Sequence, residues 1–148
     1  MSQHSYTRCW LHMVWTTLKR ERVLNEQARA RVCGYLSEYA ETKGIYLKIA
    51  YVNEEHVHAL IDLPTRYSME DVAHLFKGSS SHWINENRVV PCTFAWGRGY
   101  GAFSVSQTIV PKVAGYIARQ GEHHKLRSFQ EEYEYFVKVH GLKFHDDE

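Results

Sequence analysis

The chain has 148 residues, with 18 lysines and arginines against 17 aspartates and glutamates, and a formal net charge of +1. This length suits one domain spanning residues 1–148, and no apolar run approaches the roughly 20 residues that cross a bilayer, so we expect neither a membrane span nor a signal peptide. Three widely spaced cysteines exclude a fully paired set of intrachain disulfides and favour a reducing, cytoplasmic setting.

The charge is distributed unevenly along the chain. Residues 131–148 hold six acidic and two basic side chains, which leaves 16 basic against 11 acidic side chains in residues 1–130. This surplus permits a phosphate-binding surface without requiring one.

The first part of the chain alternates strand and helix patterns. An aromatic and β-branched run predicts a strand from Tyr6 to Thr17. Apolar residues at helical spacing predict a helix from Glu26 to about Lys43, with Asn25 as its N-cap. Two further strand patterns, Ile45–Val52 and His56–Leu63, are separated by three residues and predict a hairpin.

The middle of the chain predicts a second helix and a short strand. Ser68 and Asp71 resemble a capping box in front of the helical pattern of residues 69–87, which we expect to break near Gly78. A glycine- and aromatic-rich passage follows, and its end, residues 102–106, predicts a strand.

Two more helices are predicted, at about Gln107–Glu122 and Ser128–His140. The resulting order is β-α-β-β-α-β with helices appended. This order predicts an α+β fold of the split βαβ type, ferredoxin- or RRM-like, with helices on one face of an antiparallel sheet and an added helix near the carboxyl end. Such a fold hosts many functions and names none of them.

Two histidines stand one residue apart in the fourth predicted element. His56 and His58 project from the same face of a strand because the side-chain period is two. Each buried imidazole needs a partner for its polar nitrogens. A cation held between them with oxygen ligands would satisfy both, although bonds to nearby carboxylates or carbonyls are the commoner arrangement for an isolated pair.

The third predicted helix carries polar residues beside an apolar stripe. The stripe should dock the helix on the body of the protein, and it consists of Val110, Val113, Ala114 and Ile117. Lys112, Tyr116 and Gln120 form a separate i, i+4, i+8 row. Tyr116 and Gln120 could share a site, although a tyrosine in such a place more often only packs.

Four segments occur together in an informative order. They are "HVH" after "NEE", "LFKGSSSHWIN", "WGRGYGAFSVSQ" and "YIARQGEHHKLRSFQEEY". In this order and at these spacings the chain resembles the insertion-sequence-200-like transposases, the small single-tyrosine members of the HUH nuclease superfamily. The resemblance runs from about Tyr6 to Lys143.

The resemblance implies a role for each matching residue. His56, His58 and Gln120 match the ligands of a divalent metal, Mg²⁺ or Mn²⁺, and Tyr116 matches the nucleophile. The family cleaves single-stranded DNA at hairpin-marked ends of a mobile element, leaving a 5′-phosphotyrosine and a free 3′-OH. Its members are homodimers, in which the tyrosine helix of one subunit can complete the site of the other.

DNA contacts are expected from basic and aromatic segments. The candidates are Lys19, Arg20, Lys77, Ser79, Arg98 and Lys112. Lys77 and Ser79–Ser81 are expected at a helix-to-loop junction that could present a cation, hydroxyls and amides to phosphate. Arg98 lies between Trp96 and Tyr100, a combination suited to unstacked bases, although either aromatic residue could instead close the core.

Other functions fit parts of the pattern. A non-catalytic RRM-like module would share the element order, but it would place aromatic residues on an open sheet face. A domesticated repeat-associated tyrosine transposase would share the catalytic residues, and a replication initiator or relaxase of the same superfamily would be larger. His123 and His124 could add zinc ligands near Gln120, although packing or a place near DNA is the preferred interpretation.

Overall fold

The computed structural model describes residues 5–120, and within them four strands form one antiparallel sheet. In chain order the strands are β1 (Trp10–Thr16), β2 (Tyr46–Val52), β3 (His56–Asp62) and β4 (Gly101–Val105), and their order across the sheet is β2-β3-β1-β4. The helices are α1 (Glu26–Thr42), α2 (Met69–Glu86) and α3 (Val110–Ala118), with 3₁₀ turns at Leu18–Arg20 and Gln107–Ile109. The predicted α+β class and β-α-β-β-α-β order are confirmed.

The helices α1 and α2 begin at side-chain caps that the sequence predicted. The Asn25 side chain accepts a hydrogen bond from the Ala28 N–H at 2.9 Å. Ser68 and Asp71 form a complete capping box, in which each side chain accepts from the other residue's backbone N–H at 3.0 Å. These bonds satisfy N–H groups that the first turn of a helix leaves without an intrahelical partner.

The helix α2 is continuous, so the predicted break near Gly78 is wrong. Glycine in an exposed helix costs only about 1 kcal/mol relative to alanine. Phe76 and Ile84, on either side of Gly78, are buried against the sheet and α1. Their burial outweighs the cost of the glycine.

The central strand β1 is paired on both sides. Val14 lies opposite His58 of β3 and opposite Gly101 of β4. The strands β2 and β3 form the predicted antiparallel hairpin. The functional face described below is therefore centred on two strands that lie away from the sheet edges.

The edge strand β2 contains one extra residue. Leu47 pairs with Ile61 and Ile49 pairs with Leu60, so Lys48 between them forms a β-bulge. Because directly paired residues share a face of the sheet, Leu47 lies on the face of Ile61, whereas Ile49 lies on the face of Leu60.

Two cores form on opposite faces of the sheet. The helices α1 and α2 cover one face, and the α1/α2 core includes Leu11, Met13, Trp15, Val57, Ala59, Ile61, Val32, Leu36, Phe76 and Ile84. The helix α3 covers the other face, and the α3 core consists of Trp10, Val14, Leu60, Val105, Val110, Val113, Tyr116 and Ile117. The apolar stripe of the third predicted helix therefore docks as expected.

Several boundaries differ from the prediction. The strand β1 begins at Trp10, because the residues before it are exposed, Tyr6 at 93%. The third helix opens with the 3₁₀ turn and becomes α-helical at Val110, with a proline in its first turn. The helix predicted at Ser128–His140, together with His123 and His124, lies outside the described residues. None of the helices within residues 5–120 combines the length and apolarity needed to span a bilayer.

Candidate active site

His56 and His58 leave the same face of β3, as the strand period predicted. Their ring centres are 5.0 Å apart, and their side chains are buried, with 0% and 3% of each residue exposed. Leu60, two residues further on, belongs to the α3 core, whereas Val57 and Ala59 belong to the α1/α2 core. Two imidazoles therefore lie side by side on the face that α3 covers.

A third histidine, His12 of β1, joins the pair, and sequence reasoning missed it. Its Nε2 lies 3.0 Å from Nδ1 of His58, and the ring centres are 5.2 Å apart. Strand alternation places His12 on the same face as Trp10 and Val14. The register that sets β1 beside β3 was needed to bring it to His58, and neither segment alone reveals that register.

The helix α3 brings Tyr116 against these histidines. The centre of its ring is 6.4 Å from that of His58 and 6.5 Å from that of His12, both edge-on. Trp10 Nε1 donates to Gln107 Oε1 at 2.6 Å, which ties the turn before α3 to β1. The Tyr116 hydroxyl is shielded from solvent. Tyr116 therefore lies beside His12 and His58 of its own chain.

The predicted row of Lys112, Tyr116 and Gln120 divides into buried and exposed members. Tyr116 and Gln120 are buried, with 6% and 0% exposed, whereas Lys112 is exposed. Each i+4 step around an α-helix advances by about 40°, so three such positions do not keep one direction. Tyr116 and Gln120 lie beside the apolar stripe, and Lys112 has turned toward solvent.

The buried side chain of Gln120 has a hydrogen-bonding requirement that the described residues do not meet. Both polar atoms of its side chain are buried and, within residues 5–120, make no hydrogen bond. Leaving such a group unsatisfied costs about 1–3 kcal/mol. Its amide oxygen suits Mg²⁺ or Mn²⁺, and imidazole suits the softer divalent metals, so His56, His58 and Gln120 fit a divalent ion by their chemistry. Among those same residues, no group of three or more His, Cys, Asp or Glu side chains is placed to hold a metal.

An open cleft lies one strand away from the histidine pair. It has a volume of about 190 Å³ and is lined by Val14 and Thr16 of β1, by the loop residues 98–100 and by Gly101 of β4. Val14 and Thr16 are paired directly with His58 and His56. The exposed Arg98 and the half-buried Tyr100 therefore flank a space beside the candidate active site.

Lys77 holds the loop that forms this cleft. Its ammonium donates to the carbonyls of Gly97 at 2.8 Å and Gly99 at 2.7 Å, and desolvation by burial holds the pKa of Lys77 below its ordinary value of 10.5. The backbone of Gly97 lies so close to β1 that a Cβ there would be 3.1 Å from Thr16 Oγ1 and 3.2 Å from the Thr17 carbonyl oxygen. The loop is thus pinned from two sides.

The helix-to-loop junction expected at Ser79–Ser81 is wrong, because these residues lie inside α2. The Ser80 hydroxyl donates to the Phe76 carbonyl at 2.6 Å and accepts from Trp96 Nε1 at 2.8 Å. The Ser79 and Ser81 hydroxyls also donate to carbonyls of their own helix. This segment therefore supports the loop, and Trp96 closes the α1/α2 core.

The basic turn after β1 has an unusual backbone. Lys19 and Arg20 have φ angles of 56° and 55°, in the left-handed region that favours glycine. The Leu18 N–H donates to the Ala95 carbonyl at 3.0 Å, which joins this turn to the strand-like segment before the cleft loop. Lys19 and Arg20 are exposed at the same end of the sheet as the cleft.

Comparison with known proteins gives consistent matches. The family model described as "Transposase IS200 like" matches residues 5–120. Transposases of insertion sequence element IS200 from Salmonella typhimurium and Salmonella typhi are each 26% identical over 133 residues, covering 83% of this chain and 84% of the relative.

Two solved structures share the fold. A crystal structure from Deinococcus radiodurans, of a protein assigned as a transposase, aligns with a TM-score of 0.65 at 20% identity, covering 81% of this chain and 96% of that one. A REP-associated tyrosine transposase bound to a REP hairpin aligns with a TM-score of 0.58 at 14% identity, covering 84% of this chain and 74% of that one.

Proposed function

Because this chain belongs to the IS200-like transposase family, we propose that it cleaves and rejoins single-stranded DNA at insertion-sequence ends, with Tyr116 as the nucleophile. The observation that carries this proposal is the contact of the Tyr116 ring with His58 and His12, at ring-centre distances of 6.4 and 6.5 Å in a buried cluster. A tyrosine serving only as packing would not require three imidazoles on the facing strands.

The reaction transfers the phosphorus of one phosphodiester from the 3′ oxygen of the DNA to the phenolic oxygen of Tyr116. The phenolic oxygen of Tyr116 attacks the scissile phosphorus, a bond forms between them, and the bond from phosphorus to the 3′ oxygen breaks. The phenolic proton leaves Tyr116, and the 3′ oxygen acquires a proton, so the products are a 5′-phosphotyrosine and a 3′-OH. Attack by the 3′-OH of another strand reverses these steps, and it needs no ATP because the linkage energy is retained.

We propose that His56, His58 and Gln120 hold a divalent cation beside this phosphate. The buried Gln120 amide, which lacks a hydrogen bond within residues 5–120, supports this assignment. When bound, the ion would polarise the phosphate and stabilise charge on its oxygens. Two neutral imidazoles and an amide add no negative charge, so the attraction of the site for phosphate is retained. Mn²⁺ should support cleavage at least as well as Mg²⁺, and cleavage without any divalent ion would contradict the ligand assignment.

We propose that the DNA strand enters along the cleft beside β1. Arg98 and Tyr100 would contact a base and its phosphate there. Lys19 and Arg20, exposed at the same end of the sheet, would bind the backbone of a hairpin, and Lys112 on the outer side of α3 would contact phosphate. Lys77 and Ser79 would act on DNA through the loop that α2 supports, since their polar groups already bond to protein carbonyls.

The decisive experiment incubates the full chain with single-stranded DNA from the ends of its own element. The wild type should form a covalent protein–DNA adduct that survives denaturation, and Tyr116→Phe should form none. Tyr46→Phe, at an exposed tyrosine on β2, is the matched control and should react normally. An adduct of undiminished yield in Tyr116→Phe would refute the assignment. Hairpins of the REP type, assayed in parallel, would distinguish a domesticated enzyme.

We further propose that the protein acts as a homodimer in the cytoplasm, built as one domain per subunit. The three free cysteines, two of them exposed, fit a reducing compartment. Light scattering of the full chain should give twice the mass of 17.4 kDa, and a monomer would contradict the dimer. A base-stacking module of the RRM type is disfavoured, because α3 covers the sheet face that such a module needs open.

A further inference from the structure

His12 makes a contact for which the roles proposed above give no reason. Its imidazole is fully buried on β1, and its Nε2 lies 3.0 Å from Nδ1 of His58. Both atoms are ring nitrogens, so a hydrogen bond between them requires one of the two rings to supply the proton. The direction of this hydrogen bond decides what His58 can do with its other nitrogen.

Only one direction is compatible with metal binding by His58. A neutral imidazole carries one N–H, so a bond donated by His12 would require an acceptor at Nδ1 of His58 and leave the proton of His58 on Nε2. That proton would occupy the lone pair that the cation needs. If His58 donates from Nδ1, its Nε2 carries a lone pair in place of a proton, and His12 must carry its own proton on Nδ1.

We propose that His12 is a positioning residue that accepts the Nδ1–H of His58 and thereby fixes both the tautomer and the ring orientation of that ligand. The inference rests on the proposed function, since it assumes that His58 is a metal ligand. Ligand histidines commonly donate their second N–H to a carboxylate or a carbonyl, and loss of that partner typically lowers metal affinity 10–100-fold. His12 performs the same task without adding a negative charge, so the cation keeps its full attraction for phosphate.

The position of His12 also explains why a histidine stands there. Its ring lies 6.5 Å from that of Tyr116 and 5.2 Å from that of His58, so it neighbours both the proposed nucleophile and the proposed ligand, which are themselves 6.4 Å apart. A carboxylate in this place would oppose loss of the phenolic proton through like-charge repulsion. A neutral acceptor orients His58 without that penalty.

The first test uses the wild-type full chain without metal. Nitrogen-15 NMR of labelled histidines at about pH 8 reports which ring nitrogen carries the proton. The expected result is a proton on Nδ1 of both His58 and His12. A proton on Nε2 of His58 would overturn the proposal, and so would two unprotonated facing nitrogens, the pattern of a third metal ligand.

The second test measures Mn²⁺ affinity by calorimetric titration. His12→Leu should bind Mn²⁺ 10–100-fold more weakly than the wild type, and His12→Gln, whose amide oxygen can accept the same proton, should recover most of that loss. His74→Gln, at an exposed histidine of α2, is the matched control and should bind normally. Wild-type affinity in a folded His12→Leu would overturn the proposal, as would an equal loss in both His12 variants.

The two proposals fail in different ways. If Tyr116→Phe still forms the DNA adduct, the nucleophile is wrong, whereas the tautomers and the Mn²⁺ affinities still decide the role of His12. If the adduct depends on Tyr116 but His58 carries its proton on Nε2, the transposase chemistry stands and only the role of His12 falls.

Discussion

The two faces of the sheet are made by alternate residues of the same strands, yet they bury different chemistry. In β1, Met13 and Trp15 enter the α1/α2 core, whereas His12 and Val14 face α3. The α1/α2 core is filled mostly by apolar side chains, and its indole Trp96 donates its N–H to the Ser80 hydroxyl. The other face buries imidazoles, a phenol and an amide, each of which requires a partner. The first face therefore holds most of the apolar burial, and the second combines an apolar core with buried polar rings.

The largest effect should come from the α1/α2 core. Phe76 is buried and stacks on Trp15, with ring centres 6.1 Å apart and planes at 17°. Phe76→Ala should lower the free energy of unfolding by about 3–5 kcal/mol, because it removes apolar burial and leaves a cavity. Urea denaturation measures this loss. Met69→Ala, at an exposed position of the same helix, should change it by less than about 0.5 kcal/mol. Similar losses in the two variants would show that the packing of this face is not decisive.

On the α3 face, we expect a substitution that raises the free energy of unfolding. Gln120→Met replaces a buried amide that has no hydrogen bond within residues 5–120, so it should raise the free energy of unfolding by about 1–3 kcal/mol while weakening Mn²⁺ binding. Gln107→Met is the matched control, because Gln107 accepts from Trp10 and its loss should destabilise by about 0.5–1.5 kcal/mol. Denaturation and Mn²⁺ titration of both variants check the prediction. Destabilisation by Gln120→Met would mean that its amide is satisfied in solution.

Two variants distinguish a residue that contacts DNA phosphate from one that only holds the loop beside the cleft. Lys77→Met should weaken single-stranded DNA binding roughly tenfold, the effect of one charge-assisted hydrogen bond of about 1.5 kcal/mol, without changing the salt dependence. Arg98→Gln should instead reduce the slope of log K against log salt by about 0.7, the value of one phosphate contact on a single strand.

The control for these variants is Lys48→Met, which removes an exposed lysine from the far edge of the sheet and should leave binding unchanged. Fluorescence anisotropy at several salt concentrations gives both quantities. A reduced slope for Lys77→Met would show that its ammonium contacts phosphate directly.

The smallest effect concerns the start of α2. The backbone and side-chain hydrogen bonds from Ser68, the largest causes, lower the pKa of the Asp71 carboxyl below its ordinary value of 3.8. Because the folded-state pKa is depressed, the stabilisation is fully present above 3.8 and is lost as pH falls through the lowered pKa. The stability difference between the wild type and Asp71→Asn should therefore be constant near neutral pH and shrink below pH 3.8. A difference that persists at lower pH would show that the capping box does not depend on the charge.

Local periodicity was sufficient to predict the parts of the site that lie close in sequence. The strand period places His56 and His58 together, and one helical turn places Tyr116 beside Gln120. His12 was missed because its partner depends on how β1 registers against β3, which no local pattern encodes. Lys77 was predicted to contact phosphate, and its bonds to the Gly97 and Gly99 carbonyls could not be predicted because no sequence pattern shows where backbone carbonyls lie. Helix α2 was expected to break at Gly78 because glycine disfavours a helix. The burial of its neighbours, which keeps the helix continuous, could not be judged from the glycine alone.

The bulge at Lys48 changes which face of the sheet the residues on either side of it occupy. Along a regular strand, residues two apart lie on the same face, so Leu47 and Ile49 would pack into the same core. Because Lys48 is an extra residue at the bulge, Leu47 packs into the α1/α2 core and Ile49 into the α3 core. Tyr51, which follows the bulge and is paired with His58, also packs against the α3 core. Deleting Lys48 would make Leu47 and Ile49 adjacent, and strict alternation would still place them on opposite faces, beside their partners Ile61 and Leu60. The bulge therefore accommodates one exposed lysine in the edge strand while the residues on either side of it keep packing into opposite cores.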